Sequence, residues 1–181
     1  MSFLDEPAFS LESKGSFEFR IDNASSAWSE KESGMFNIGG AQWRLFVLKQ
    51  GDCTKGVEWL ACYLGCNEHL ATAFWSCDTV YVLSVLSTIE SRTVRESYDY
   101  RFSVSDNNWG QAGMIEWSKV LDEQNGFLVD DALTLRVDVE IKRSTGIFRK
   151  ILTCFDSSSH CSDVVLLVER KKVHVSKAIL A

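Results

Sequence analysis

The chain of 181 residues contains a single proline, Pro7, and no apolar stretch near the ~20 residues that a membrane-spanning helix needs. It also lacks an excess of positive charge, since 19 Lys and Arg stand against 25 Asp and Glu, which gives a net charge of -6. That balance argues against a nucleic-acid partner. The first residues carry no basic segment followed by an apolar one, so no secretory signal is visible. We therefore expect a cytoplasmic or nuclear protein that binds neither membrane nor nucleic acid.

The six cysteines are expected to be reduced thiols, because no secretory signal is visible. Cys62, Cys66 and His69, with Cys77 downstream, include ligand types that bind zinc, yet no pair has the Cys-x-x-Cys spacing typical of a structural site. Packing as small apolar side chains inside strands accounts better for Cys62 and Cys77. We predict neither a metal nor a cofactor.

Aromatic residues and period-two alternation are the features that the sequence does have. Six Trp and eleven Phe accompany 45% hydrophobic residues, which is typical of a strand-rich globular domain. Residues 133–141 alternate apolar and polar side chains without a break, and residues 17–22 do the same over a shorter stretch. Further strands are predicted at residues 35–38, 43–48, 57–64, 74–86 and 98–104. The spacing predicts an antiparallel β-sandwich, a mainly β fold.

The remaining segments are predicted to be turns, one helix and a separate hairpin. Asp106-Asn107-Asn108-Trp109-Gly110 has the composition of a loop, and residues 114–120 form the only short helix expected before the C-terminal end. Trp28, Trp43, Trp75 and Trp117 are expected to anchor the core.

Four segments follow from this pattern. Residues 1–16 are expected to be an irregular, flexible lead-in, residues 17–142 the sandwich, and residues 143–162 a serine-containing linker. Residues 163–181 then read as a hairpin followed by the start of a helix. Because a two-stranded hairpin is marginally stable alone, this segment has the pattern of the opening of a second domain.

Five blocks, taken in order, resemble a MATH domain, the TRAF-like sandwich. They are Gly-Gly-Ala-Gln-Trp at 39–43, Tyr-Leu at 63–64, Tyr-Arg-Phe at 100–102, Trp-Gly at 109–110, and the Leu-Asp-Glu-Gln-Asn-Gly-Phe-Leu-Val-Asp-Asp block at 121–131. The resemblance covers residues 17–142, and its most specific part is 109–131. Residues 162–166 and 174–181 resemble the first strands and first helix of a BTB domain, so residues 163–181 are identified as an N-terminal BTB fragment.

MATH followed by BTB is the layout of substrate adaptors for cullin-dependent ubiquitin ligases. The resemblance therefore implies a non-catalytic module that binds a short, extended segment of substrate proteins. A cullin scaffold is implied as a partner only if a full BTB domain exists in the parent protein. If this chain is the natural product, it is expected to bind substrate without presenting it, because the BTB resemblance covers only the first elements of that domain. A longer parent protein could still be an adaptor.

The resemblance also implies an aromatic-walled groove in which the peptide pairs along a strand edge. Motif matching assigns that groove to Tyr63, Tyr100, Asn108, Trp109 and Gly110. Exposed aromatic rings offer a large rigid contact area, and a glycine lets a peptide backbone approach closely. Gln111 stands where an aromatic residue can occur in relatives, and Asn107 and Asn108 stand where some carry charge, so the substrate preference is left open.

Alternative roles remain open for the aromatic residues. Tyr63 shares a strand face with Trp59 and Ala61, which leaves a groove position and a core position equally open. Tyr100 has the same parity as Tyr98 and Phe102, which favours the core unless a bulge intervenes. A polar loop around Trp109 favours the groove.

Functions other than peptide binding have less support in the sequence. Asp130-Asp131 before a strand is typical of a turn rather than of acid–base chemistry, and no common catalytic motif is present. An extracellular binding sandwich would require bridged cysteines. A non-catalytic binding domain outside the ubiquitin system and a non-functional truncated paralogue are the further alternatives.

Overall fold

The structure, a computed structural model, describes residues 13–52, 56–66, 75–147, 164–168 and 171–175, the last two ranges as backbone only. The chain divides into two compact units, Met1–Ile147 and Phe148–Ala181. In chain order the strands of the first unit are β1 (Lys14–Ile21), β2 (Glu30–Glu32), β3 (Phe36–Ile38), β4 (Ala41–Asp52), β5 (Val57–Cys66), β6 (Ser76–Val85), β7 (Val94–Ser103), β8 (Asn108–Glu116), β9 (Leu128–Val129) and β10 (Ala132–Thr145). The described part of this unit also contains a short helix, α1 (Trp117–Leu121), and two 3₁₀ turns, Glu90–Arg92 and Glu123–Asn125.

Two antiparallel sheets make up the first unit. In the first sheet the strand order is β1-β10-β6-β7, with β9 also paired to β10. In the second sheet the order is β2-β4-β5-β8, with β3 also paired to β4. β7 and β8 are therefore edge strands, one in each sheet, and they follow one another along the chain. The predicted antiparallel β-sandwich with one short helix is confirmed.

Strand β10 shows how the sequence pattern produces the sheet. Its apolar residues from Leu133 to Ile141 are buried, while the polar residues between them are partly exposed. Because side chains alternate between faces in a strand, only one face of β10 can lie in the core. β1 pairs with it in register, with Phe17 opposite Val137 and Lys14 opposite Glu140. The alternation at residues 133–141 and 17–22 predicted both strands correctly.

The centre of the core is aromatic. Trp43, Tyr81 and Phe102 are the largest fully buried side chains. Trp43 lies edge-on to Phe102 at 5.4 Å between ring centroids and donates through Nε1 to the carbonyl of Ile38 at 3.2 Å. Trp75 and Trp117 are buried as well, which confirms their expected role as core anchors. Trp28 is only half-buried and packs against the core from its margin.

Three predicted boundaries differ from the observed ones. β1 begins at Lys14, inside the segment predicted to be an irregular lead-in, because β10 is long enough to pair with it as far as Glu140. β10 continues to Thr145, inside the predicted linker, where the hydroxyls of Thr145 and Ser76 lie 2.8 Å apart. The predicted helix at 114–120 is wrong in its first half, because Met114 and the two residues after it belong to β8.

The predicted loop at residues 106–110 is also wrong in part. Asn108, Trp109 and Gly110 belong to β8 and pair with Gly65, Leu64 and Tyr63 of β5. Asparagine and glycine have low strand propensity, but the open edge of β5 supplies hydrogen-bond partners that outweigh it.

The second unit contains an antiparallel hairpin. β11 (Val164–Val168) pairs with β12 (Lys171–Val175), with Val164 opposite Val175. The hairpin predicted in this segment is confirmed, whereas the expected helix start after it lies outside the described residues.

The cysteines and possible metal ligands can be followed only in part. Cys62 and Cys77 are completely buried in the core, as predicted, and burial raises the pKa of the Cys62 thiol. His69 lies outside the described residues. Within the described ranges no group of three or more His, Cys, Asp or Glu side chains is arranged to hold a metal ion. No helix in the described part of the chain is long and apolar enough to cross a membrane.

Candidate functional site

The edge strands β7 and β8 lie close to each other, and the space between them opens into a cavity at one end. The turn that joins them is fixed by backbone bonds, from the Cys66 amide to the Asn107 carbonyl at 2.8 Å and from the Ser103 amide to the Asp106 carbonyl at 3.0 Å. Because β7 and β8 each end a sheet, each keeps one side of its backbone without a strand partner among the described elements. We call this space, between residues 94–103 and 108–116, the edge cleft.

Two stacked aromatic rings lie at the turn end of the edge cleft. The rings of Tyr100 on β7 and Trp109 on β8 are 4.7 Å apart between centroids and inclined by only 12°. Trp109 is 48% exposed, the largest exposed fraction of any large hydrophobic side chain in the described part of the chain. Tyr100 is half-buried and lies edge-on to Phe102 at 5.0 Å. The stack is thus the outer end of an aromatic row that reaches Trp43 in the core.

Tyr81 holds the backbone of Trp109 from the side of the core. Its hydroxyl donates a 2.9 Å hydrogen bond to the Trp109 carbonyl. Burial raises the pKa of Tyr81, and the neighbouring phenols of Tyr98 and Tyr100 raise it further. The Tyr81 phenol is therefore neutral at physiological pH and remains a hydrogen-bond donor.

Tyr98 stacks on Tyr81 at 5.0 Å between centroids but differs from it in bonding. Its hydroxyl oxygen is buried and has no hydrogen-bond partner among the described residues. Burial, with a smaller contribution from Glu96, raises the pKa of Tyr98 to about 12. Tyr98 is not among the predicted site residues, although its shared parity with Tyr100 indicates that both rings face the same side of β7.

Gly110 is required by the sheet itself. A Cβ at this position would lie 2.0 Å from the Cys62 carbonyl oxygen and 2.7 Å from the Tyr63 Cα. The close approach that the glycine allows is therefore between β8 and β5, and not between β8 and a peptide as predicted from the sequence.

The remaining two predicted site residues lie beside the stack or away from it. Asn108 is exposed and directly precedes Trp109 on β8. Tyr63 is half-buried, alternates with the core residues Cys62 and Leu64, and therefore faces the outside of its sheet. It makes no ring contact with Tyr100 or Trp109. The structure thus brings Tyr100 and Trp109 into ring contact and flanks Trp109 with Asn108 and Gly110. Tyr63 pairs with Gly110 in the sheet but does not touch the stack.

The far end of the edge cleft holds a cavity that no pattern in the sequence indicates. It has a volume of about 340 Å³ and lies where β7 begins and β8 ends. Its lining includes apolar side chains from Trp59, Val94, Met114, Ile115 and Phe127, and charged ones from Arg92, Glu116 and Lys119. Trp59 reaches β8 because Gly113 leaves room, since a Cβ there would be 3.3 Å from the Trp59 ring. Arg92 lies in a turn, where no sequence periodicity points to a site.

The fold is a TRAF-like β-sandwich. A family model for the MATH domain matches residues 16–139. The chain belongs to the MATH domain family, whose members are protein–protein interaction modules rather than catalytic domains.

Individual relatives agree with that family. The chain is 30% identical over 176 residues to BTB and MATH domain-containing protein 36 of Caenorhabditis elegans. The matched stretch covers 94% of this chain and 55% of that protein. The chain is 24% identical over 173 residues to protein 38 of the same name and organism, covering 93% of this chain and 44% of that protein. The chain thus spans about half the length of these two relatives. Ubiquitin C-terminal hydrolase 12 of Arabidopsis thaliana is 27% identical over 130 residues, 70% of this chain and 11% of that protein.

A solved structure shows the same fold. TRAF5 of Notothenia coriiceps superposes with a TM-score of 0.50 at 16% identity, covering 70% of this chain and 73% of that chain. At that identity the likeness concerns the sandwich alone.

Proposed function

We propose that the chain binds a short, extended segment of substrate proteins in the edge cleft. We further propose that it is the substrate-binding part of a MATH-BTB adaptor, which recruits substrates for cullin-dependent ubiquitination. The observation that carries the first proposal is the stack of Tyr100 on Trp109 between two edge strands. The Trp109 ring is half-exposed, so covering it with an apolar side chain of a partner is favourable. Its backbone is already fixed by a contact from the core.

The backbone of the cleft suits an extended peptide. The free edges of β7 and β8 offer amides and carbonyls at strand spacing, so that a peptide can add to a sheet as a further strand. Backbone pairing of this kind supplies affinity, while the side chains around it supply specificity. Asn108 and Gln111 are both exposed and stand on either side of Trp109 with amide groups that donate and accept hydrogen bonds.

The adaptor role is supported by the relatives. Two of them carry both BTB and MATH in their names, and the similarity to protein 36 extends over 176 residues, beyond the stretch that the MATH family model matches. We propose that residues 163–181, which include the hairpin β11–β12, correspond to the beginning of a BTB domain. Contact with a cullin scaffold would then require the rest of that domain in the parent protein.

A peptide array tests the binding proposal. Wild-type protein and Trp109→Ala are applied to an array of 15-residue peptides, after circular dichroism has shown that both fold alike. Val129→Ala is the matched control, since Val129 is 44% exposed but lies on β9, outside the cleft. We expect a few peptides to bind the wild type and the control but not Trp109→Ala. Binding that survives in Trp109→Ala, or none at all, would contradict the proposed site.

A further inference from the structure

The cavity at the far end of the edge cleft combines apolar walls with basic residues, a combination that suits an acidic side chain. Its volume of about 340 Å³ lies at the small end of the range of ligand sites. Apolar side chains from both sheets form its walls, and charged groups from the 3₁₀ turn, β8 and α1 also line it. We propose that this cavity takes a glutamate side chain of the same peptide that covers Trp109, and that Arg92 determines this specificity. The inference rests on the proposed function.

Charge complementarity identifies the occupant. Arg92 and Lys119 bring two positive charges to the cavity, and Glu116 is the only carboxylate among the described lining residues. Glu116 is already engaged, with its Oε2 3.4 Å from the Lys119 Nζ. This leaves an excess of positive charge in a chain whose net charge is -6. A carboxylate is therefore attracted to this end of the cleft.

Arg92 is fixed by hydrogen bonds that use only one of its guanidinium nitrogens. Its Nη1 donates to the Gln124 carbonyl at 2.9 Å and to the Asn125 side-chain oxygen, so the guanidinium is tied to the second 3₁₀ turn. A guanidinium carries five N–H donors in a rigid fork, and the other nitrogens remain able to bind a carboxylate. The apolar walls suit the two methylene groups of glutamate better than the single one of aspartate.

The geometry of β7 sets the position of the glutamate in the peptide. Tyr100 lies six residues after Val94, which is roughly 20 Å along a strand. An extended peptide alongside β7 covers that length with about six residues of its own. Since strand side chains alternate with period two, residues six apart face the same way. The glutamate is thus expected about six positions from the residue that contacts Trp109, on the same face of the peptide.

A selection followed by a double-mutant cycle tests the inference. A random 12-residue phage library is panned against the full chain, and one selected peptide is made with Glu and with Gln at the acidic position. Both peptides are titrated by fluorescence anisotropy against wild type, Arg92→Gln and Lys119→Gln. Arg95→Gln is the matched control, because Arg95 also lies at the start of β7 but pairs with Glu90 instead of lining the cavity. Thermal unfolding checks that each variant folds.

The cycle separates the possible outcomes. We expect Arg92→Gln to weaken the Glu peptide about tenfold to a hundredfold, the effect of one charge-assisted hydrogen bond, and to leave the Gln peptide within about twofold. Lys119→Gln should act in the same direction and Arg95→Gln should not. Peptides that depend on Trp109 but show no acidic preference, or no coupling to Arg92, would overturn this inference alone. If no peptide is selected, or none depends on Trp109, the proposed function fails and the inference fails with it.

Discussion

The hydroxyl of Tyr81 donates a 2.9 Å hydrogen bond to the carbonyl oxygen of Trp109. Tyr81 lies on β6, inside the first sheet, whereas Trp109 lies on the edge strand of the second, so the bond joins the two sheets at the edge cleft. It fixes the Trp109 backbone at the residue whose ring faces solvent. A ring that is positioned before a partner arrives loses less conformational entropy on binding.

Tyr81→Phe should weaken both the fold and the cleft. The substitution removes the donor to the Trp109 carbonyl and keeps the ring, so we expect the free energy of unfolding to fall by about 1 kcal/mol. Urea unfolding followed by tryptophan fluorescence measures this loss. Peptide affinity should fall as well, because the Trp109 backbone is no longer held. An unchanged free energy of unfolding would show that the bond contributes nothing net.

Tyr98→Phe, unlike Tyr81→Phe, should not lower the free energy of unfolding. The Tyr98 hydroxyl is buried without a partner among the described residues, and such a group costs about 1–3 kcal/mol. Removing it should leave stability unchanged or raise it by up to about 1 kcal/mol in the same urea experiment. Since Tyr81 and Tyr98 stack on each other, each variant is the control for the other's ring packing. A clear loss of stability in Tyr98→Phe would mean that its hydroxyl is bonded in solution.

Alkaline pH should destabilise the protein through the same two phenols. Burial raises the pKa of Tyr98 to about 12 and raises that of Tyr81 as well, whereas an unfolded tyrosine ionises near pH ~10. Between those values the unfolded chain releases protons that the folded chain keeps, so stability falls as pH rises. Urea midpoints measured from pH 9 to 12 should decrease, and the decrease should be shallower in Tyr98→Phe. Equal slopes in both proteins would exclude Tyr98 as a cause.

Gly110→Ala should damage the second sheet. The added Cβ would lie 2.0 Å from the Cys62 carbonyl oxygen, a backbone atom that cannot turn away, so β8 must separate from β5. We expect a loss of about 3 kcal/mol, at the upper end of overpacking effects. Gly34→Ala is the matched control, because its Cβ would meet nothing within 4 Å. Similar thermal midpoints for both variants would contradict the close approach of the two strands.

The sequence predicted the parts of the fold in which one strand face meets the core. Residues 133–141 alternate because only one side of β10 is buried, and that signal is local. Trp109 and Gly110 carry no such signal, because their strand conformation depends on the distant edge of β5. The strand conformation of Met114, which the sequence pattern predicts to be helical, also depends on a distant partner. Met114 lies where a bulge shifts the pairing register between β5 and β8.

The candidate site was predictable only in part, because alternation cannot distinguish an edge strand from an inner one. Tyr100 has core parity, as the sequence indicated, yet it is half-buried because β7 ends its sheet and nothing in the described part of the chain covers it fully. Arg92 and Trp59 meet at one cavity through tertiary packing, and no spacing in the sequence connects them.

An NMR titration of the ¹⁵N-labelled chain with a peptide selected for binding shows directly whether the edge cleft is the binding site. We expect the largest amide shifts in residues 94–103 and 108–116, including the Trp109 indole, and we expect these shifts to saturate together. Shifts concentrated on β1 or on β2 and β4, with the edge cleft unperturbed, would contradict this expectation.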